Sequence, residues 1–239
     1  MLRMLFLLLP TLLFAQVPSA QELLEGSIRY HDPEKQWDDA ILELHLRETR
    51  PNGPDRKTRL IINNHQNKVD LVRIFDGHTF GYTFDGDQVS ITVDGESDFP
   101  ESLREKYRLT PERALFMRNY YVYLWGLPMK LRDPGTRIDE AVQVAKFDGR
   151  LFYRLRVTYD PDVGHDIWYF YFDRESHALT GYRFYRDEAK NDGEFITLEG
   201  MKDSGTIRLP KLRKWYTHAD STFLGADELV SLRLLNPDE

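Results

Sequence analysis

Asp-Gly dipeptides set between alternating apolar runs constrain the fold of this chain more than any other feature. Phe75-Asp76-Gly77, Phe84-Asp85-Gly86 and Phe147-Asp148-Gly149 repeat one local solution, and Asn191-Asp192-Gly193 adds a fourth. Asp-Gly tolerates the positive φ angles of a type I′ turn, so each reads as a β-hairpin. The flanking runs have the period of two that a half-buried strand demands. Leu42, Leu44 and Leu46 share one face, and Glu43, His45 and Arg47 share the other. Phe80, Tyr82 and Phe84 repeat the pattern, as do Val89, Ile91 and Val93, and then Leu151, Tyr153, Leu155 and Val157. Hairpin after hairpin makes a meander, and one of this many strands must curl into a barrel or wrap round a helix to cover its apolar face.

Aromatic residues form 13% of the chain and are densest over 160–185. There Ile167-Trp168-Tyr169-Phe170-Tyr171-Phe172 is apolar on both sides of the pleat, which predicts a strand covered on both faces. Gly181-Tyr182-Arg183-Phe184-Tyr185 and Glu194-Phe195-Ile196-Thr197-Leu198 carry the sheet into the last third. Three helices interrupt it. The first, over 20–30, gathers Leu23, Leu24 and Ile28 on one side; the second, over 100–107, is short and charged. The third begins at Thr110-Pro111-Glu112, which supplies an N-cap, a proline at the first helical position and an acid in the first turn. Phe116, Tyr120, Tyr123 and Leu127 form one stripe and Met117, Tyr121 and Leu124 the next, before Gly126 and Pro128 end the helix. A helix apolar round most of its circumference is either a core helix or a cover over something apolar, and the pattern fits both.

The N-terminus has the form of an export signal. A basic opening, Met1-Leu2-Arg3, leads into an apolar run that resumes after Pro10, ends at Phe14 and is followed by small residues at Ala15 and at Ser19-Ala20. Residues 1–20 are therefore expected to be removed, with cleavage after Ala15 or Ala20, leaving 21–239 as a single domain in the periplasm. The run is too short, and Pro10 too central, for a membrane span of about 20 residues, and no later run reaches that length. Removal takes one cation, Arg3, and no acid, so the formal charge moves from −7 to −8. That balance argues against nucleic acid as a partner. The chain has no cysteine. Its fold must stand on its core, which is feasible because a chain of this size buries roughly 70% of its unfolded surface. Cysteine-linked lipid, Cys-zinc sites and thiol chemistry are excluded.

The segment from Arg118 to Thr136, with Gly126-Leu127-Pro128-Met129-Lys130-Leu131 followed by Asp133-Pro134-Gly135, resembles a family of exported bacterial proteins of unknown function. Members of that family look like the lipoprotein-carrier (LolA/LolB-like) superfamily. The match extends through Tyr30-His31-Asp32-Pro33 with Trp37, through Val157-Thr158-Tyr159-Asp160 with the run from Gly164 to Phe172, and to Leu209-Pro210-Lys211 with Trp215-Tyr216. The resemblance implies a mainly β (α+β) protein. Its strongly curved antiparallel meander would form an incomplete barrel covered by a few helices, and carriers of that shape hold lipid or acyl chains between sheet and lid.

Chemical motifs are sparse. No His-Glu-x-x-His occurs, and Gly95-Glu96-Ser97-Asp98-Phe99 lacks the closing glycine of a nucleophile elbow. His31 and Asp32 stand where the first helix ends, a place for a histidine that meets free carbonyls. The loop Asp160-Pro161-Asp162-Val163-Gly164-His165-Asp166 has carboxylate spacings like those of a calcium loop but lacks the distal bidentate Glu, so a hairpin turn is expected and no metal or cofactor. The leading expectation is a carrier or sensor of an apolar ligand, a lipid, acyl chain or lipoprotein. Phe116, Tyr120, Tyr123, Trp125, Leu127 and Met129 would form the lid side, and Tyr153, Leu155, Phe170 and Phe184 the sheet side. Two other classes stand beside it: an envelope hydrolase assembling His31, Asp133, Asp160 and His165 in three dimensions, and a protein-interaction module using exposed aromatics.

Overall fold

In the computed structural model, which describes residues 17–236, the first regular element is helix α1 (Ala20–His31). The expected export signal lies outside the described residues except for its last four. Ser19 caps α1. Its Oγ accepts the Glu22 amide at 3.2 Å, and Glu22 Oε2 accepts the Ser19 amide at 2.8 Å, so two otherwise free donors are satisfied reciprocally. Ser19→Ala is expected to lower unfolding stability by about 1 kcal/mol in a urea titration; an unchanged midpoint would show that the cap contributes nothing.

A five-stranded meander follows: β1 (Ile41–Thr49), β2 (Arg56–Asn63), β3 (Lys68–Phe75), β4 (His78–Asp85) and β5 (Gln88–Val93). After helices α2 (Glu101–Tyr107) and α3 (Pro111–Gly126) come β6 (Thr136–Ile138), β7 (Gln143–Phe147), β8 (Arg150–Tyr159), β9 (Ile167–Phe172), β10 (Leu179–Tyr185), β11 (Glu194–Asp203), β12 (Arg208–Thr217) and β13 (Phe223–Leu235). All thirteen strands belong to one antiparallel sheet in the order β5-β4-β3-β2-β1-β13-β12-β11-β10-β9-β8-β6, with β7 also on β8. The last strand thus joins the two halves by pairing with the first.

The sheet must be strongly curved. β5 and β8 stand ten strands apart in that order, about 50 Å if the sheet were flat. Yet α3, a rod about 10–12 Å across, bonds through Arg118 to Asp87 beside β5 and through Tyr123 to Tyr159 of β8. The sheet wraps the helix, and because β5 and β6 do not pair, it forms an incomplete barrel. One core cluster runs from α1 through α3 to strands of both halves. A second, smaller one lies on the convex face, where Phe147 stacks on Tyr171 at 4.2 Å. Strand β9 is therefore covered on both sides, with Phe170 and Phe172 inward and Tyr171 outward.

Two Asp-Gly turns form as expected, with φ of 53° and 80° at Asp76 and Gly77 and of 43° and 80° at Asp148 and Gly149. The third moves by one residue. Asp85 pairs with Gln88, so the turn is Gly86-Asp87, and of these only Gly86 has positive φ. Asn191-Asp192-Gly193 is not a tight hairpin but the end of a longer connection that includes a 3₁₀ turn at Glu188–Lys190. Leu151 departs from the alternation of its strand: it is 56% exposed, while Tyr153, Leu155 and Val157 are buried.

Candidate functional site

Helix α3 starts as its sequence predicts, with Thr110 Oγ1 accepting the Arg113 amide at 3.3 Å and Pro111 in the first turn. It ends at Gly126, where a Cβ would lie 2.6 Å from the Trp37 ring. Its two aromatic stripes have different fates. Met117, Tyr121 and Leu124 face the core and are buried. Phe116, Tyr120 and Tyr123 are left exposed or half-buried, and they form one wall of an open groove of about 1210 Å³. The opposite wall is the inner face of the sheet, chiefly Tyr159, Trp168, Phe184 and Trp215.

The walls interlock. Tyr120 stacks against Trp215 with ring centroids 6.0 Å apart, and Tyr123 meets Trp168 edge-on at 5.6 Å. Trp168 in turn lies 5.0 Å from Phe184. The Tyr123 and Tyr159 hydroxyls are hydrogen-bonded to each other. Burial pushes both phenols well above the ordinary tyrosine range, so they remain neutral.

Beneath the groove lies a layer of buried polar groups that sequence reasoning missed. Glu48 accepts from Thr58 Oγ1 at 2.5 Å and from the Tyr121 hydroxyl at 2.7 Å. Asp227 accepts from Arg50 Nη2 and from Trp215 Nε1, each at 2.8 Å. Arg213, 1% exposed, donates to the Leu124 carbonyl at 2.9 Å and lies 3.5 Å from the Trp125 ring centroid. Arg73 donates to Met117 Sδ at 3.2 Å. Four α3 residues are thus held by charged groups of the sheet, and releasing the helix would take one partner from each of Glu48, Arg73 and Arg213. A signal for this layer existed: Glu48 continues the inward parity of Leu42, Leu44 and Leu46.

The groove unites four of the ten expected ligand-contacting residues, Phe116, Tyr120, Tyr123 and Phe184. Trp125, Leu127, Met129, Tyr153, Leu155 and Phe170 are buried in the core, each at most 5% exposed, and lie behind the wall. Trp168 and Trp215 line the groove though the expectation did not include them. Of the four residues weighed for hydrolysis, His31 is fully buried: its Nε2 accepts the Leu179 amide at 3.0 Å and its Nδ1 donates to the Arg208 carbonyl at 2.7 Å. Asp160 pairs with Arg137, and Asp133 with Lys130. Asp133 and His165 both line the groove, but no hydrogen bond joins any two of the four among the described residues. The segment from Asp160 closes as a turn, with the Val163 and Gly164 amides bonded to the Asp160 carbonyl at 2.8 and 3.0 Å. Among the described residues no helix is long and apolar enough to cross a membrane.

Two solved structures share this architecture. A LolA superfamily protein from Nitrosomonas europaea superposes with a TM-score of 0.54 at 12% identity, over 93% of this chain and 96% of its own. A domain named as an outer membrane lipoprotein-sorting protein, from Vibrio parahaemolyticus, gives 0.53 at 15% identity over 92% and 96%. At such identities the likeness is one of fold. No curated protein matches the sequence significantly. A family profile matches residues 3–231, nearly the whole length, and the chain belongs to that family, DUF6503, a family of unknown function.

Proposed function

We propose that this protein binds an apolar or amphipathic ligand, a lipid, acyl chain or lipid-anchored protein, in the groove between α3 and the curved sheet. The observation that carries the reading is the groove itself: about 1210 Å³ left open between aromatic side chains of the helix and of the sheet. A groove of that size lined by aromatic side chains has the form of a small-molecule site. Burial of ligand CH₂ groups at about 0.8 kcal/mol each supplies the driving force. The name of the Vibrio parahaemolyticus neighbour, which speaks of lipoprotein sorting, supports the same ligand class.

An N-terminus with the form of an export signal supports binding outside the cytoplasm, in the periplasm. Cleavage after Ala15 would retain Ser19 and the α1 cap, whereas cleavage after Ala20 would remove both, so the cap favours the first position.

Native mass spectrometry of the protein from its own envelope, followed by organic extraction, tests the reading. A stoichiometric apolar adduct is expected, on a chain whose mass begins at Gln16. Phe116→Asp, at a wall residue 57% exposed, is expected to change stability by less than about 0.5 kcal/mol while depleting the adduct severalfold. A ligand-free wild-type protein, or an adduct indifferent to Phe116→Asp and Phe184→Ala, would overturn the assignment of the groove.

A further inference from the structure

The inner face of the sheet carries three carboxylates whose surroundings differ. Glu48 and Asp227 each accept two hydrogen bonds from side chains. Glu194 accepts none, and no cation lies within ion-pairing distance of it among the described residues. It opens β11 and faces inward by register, two residues before the fully buried Ile196 and directly across from Phe184, which itself pairs with Trp168. Its carboxylate is half-buried and lines the groove at the end of this aromatic row. A carboxylate taken partly out of water with no protein donor is disfavoured, and an arriving donor offsets that cost.

The charges around the groove indicate which donor. Arg50, Lys68, Arg118 and Lys130 line it but are each paired with a carboxylate, Asp227, Asp85, Asp87 and Asp133 respectively. At the Glu194 end the groove also holds Asp166, likewise without a hydrogen bond among the described residues, together with the exposed His165 and Arg186. Burial pushes both carboxyls up, against the pull of the Arg186 charge, with Asp192 adding to the rise at Asp166 and His165 opposing it. Two carboxylates face one guanidinium at this end of the groove.

We propose that Glu194 receives the head of an amphiphile that carries a cationic hydrogen-bond donor, an ammonium group, while its apolar body lies between Tyr123, Trp168, Phe184 and Trp215. The inference rests on the apolar-ligand reading and specifies its chemistry. The aromatic faces add attraction for a cation that passes over them. A carboxylate or phosphate head at the same place would face Glu194 and Asp166 as like charges.

Dodecylamine, dodecanol and laurate, each below its micellar concentration, distinguish the cases, with tryptophan fluorescence and calorimetry as readouts. The ammonium probe is expected to bind at least about tenfold more tightly than laurate at neutral pH and low salt. Glu194→Gln is expected to collapse that ratio towards unity without lowering the unfolding midpoint, and Glu194→Asp to preserve the preference. Equal affinities for amine and laurate, or a ratio unchanged in Glu194→Gln, would overturn the inference while dodecanol binding upheld the apolar-ligand reading. Failure of all three probes to bind would overturn both.

Discussion

Asp227→Ala is expected to destabilise the protein by about 3–5 kcal/mol, measured as a lowered urea midpoint at unchanged slope. Asp227 is 5% exposed and ties Arg50 of the groove wall to the indole N–H of Trp215. Alanine removes the only carboxylate within 3 Å of the Arg50 guanidinium among the described residues, where the remaining carboxylate neighbour, Glu48, is 3.9 Å away. It also strands a buried Trp215 donor. The loss measures the orphaned partners, not the net worth of the pair. Burial and the neighbouring Glu48 push the Asp227 carboxyl up against the pull of Arg50 and Trp215, and the net direction is upward. The charge is thus costly where it sits, and replacing both partners, Arg50→Met with Asp227→Leu, is expected to recover most of the stability. A loss below about 1 kcal/mol in the single variant would show that water or Glu48 compensates.

The second large effect is acid lability through His31. Leu179 donates its amide to Nε2, so the neutral ring must carry its proton on Nδ1, which donates to the Arg208 carbonyl. Burial lowers its pKa from 6.5 to about 4; the bond to the Arg208 carbonyl opposes this, and the Arg213 and Arg208 charges add to it. Between pH 6.5 and 4 the unfolded chain binds a proton at this site that the folded chain refuses. Stability is therefore full above about pH 6.5 and is lost as pH falls, by about 3 kcal/mol on reaching pH 4. His31→Gln can keep one donor and one acceptor in place but does not titrate. The difference in unfolding free energy between wild type and variant is expected to follow that slope. Parallel pH profiles for the two proteins would contradict it.

Much of the architecture is legible in the residues. The alternation of Leu42 to Leu46, of Phe80 to Phe84 and of Val89 to Val93 names strands that form, and the three helices begin and end within a residue or two of where caps and prolines place them. The short β6 and β7, by contrast, carry too few residues for a period to register. Strands β2, β3, β12 and β13 were obscured for another reason: each puts charge on its inner face, through Arg56, Arg73, Arg213 and Asp227, where periodicity expects only apolar side chains. Strand β13 is further interrupted by irregular register against both of its neighbours.

The candidate site divides the same way. Sequence singled out α3 because few helices are apolar on so many sides, and it named Phe116, Tyr120, Tyr123 and Phe184. Which aromatic residues meet a groove and which fill the core depends on how far the sheet curls and how deep the helix is seated. Trp125 and Tyr123 are two residues apart and equally aromatic, yet one lies under Arg213 and the other on the groove wall.

The amino-acid sequence by itself determined the local geometry: hairpins at Asp-Gly, strands of period two, a capped and over-apolar helix, and a fold that stands without disulfides. Those are short-range consequences of backbone sterics and side-chain polarity. Only the tertiary structure decided that the last strand closes on the first, that charges of distant strands meet beneath α3, and that Glu194 faces the groove without a partner. Pairing between groups more than a hundred residues apart leaves no periodic trace in the chain, because it is set by sheet curvature and by the register of strands that meet only once the fold has closed.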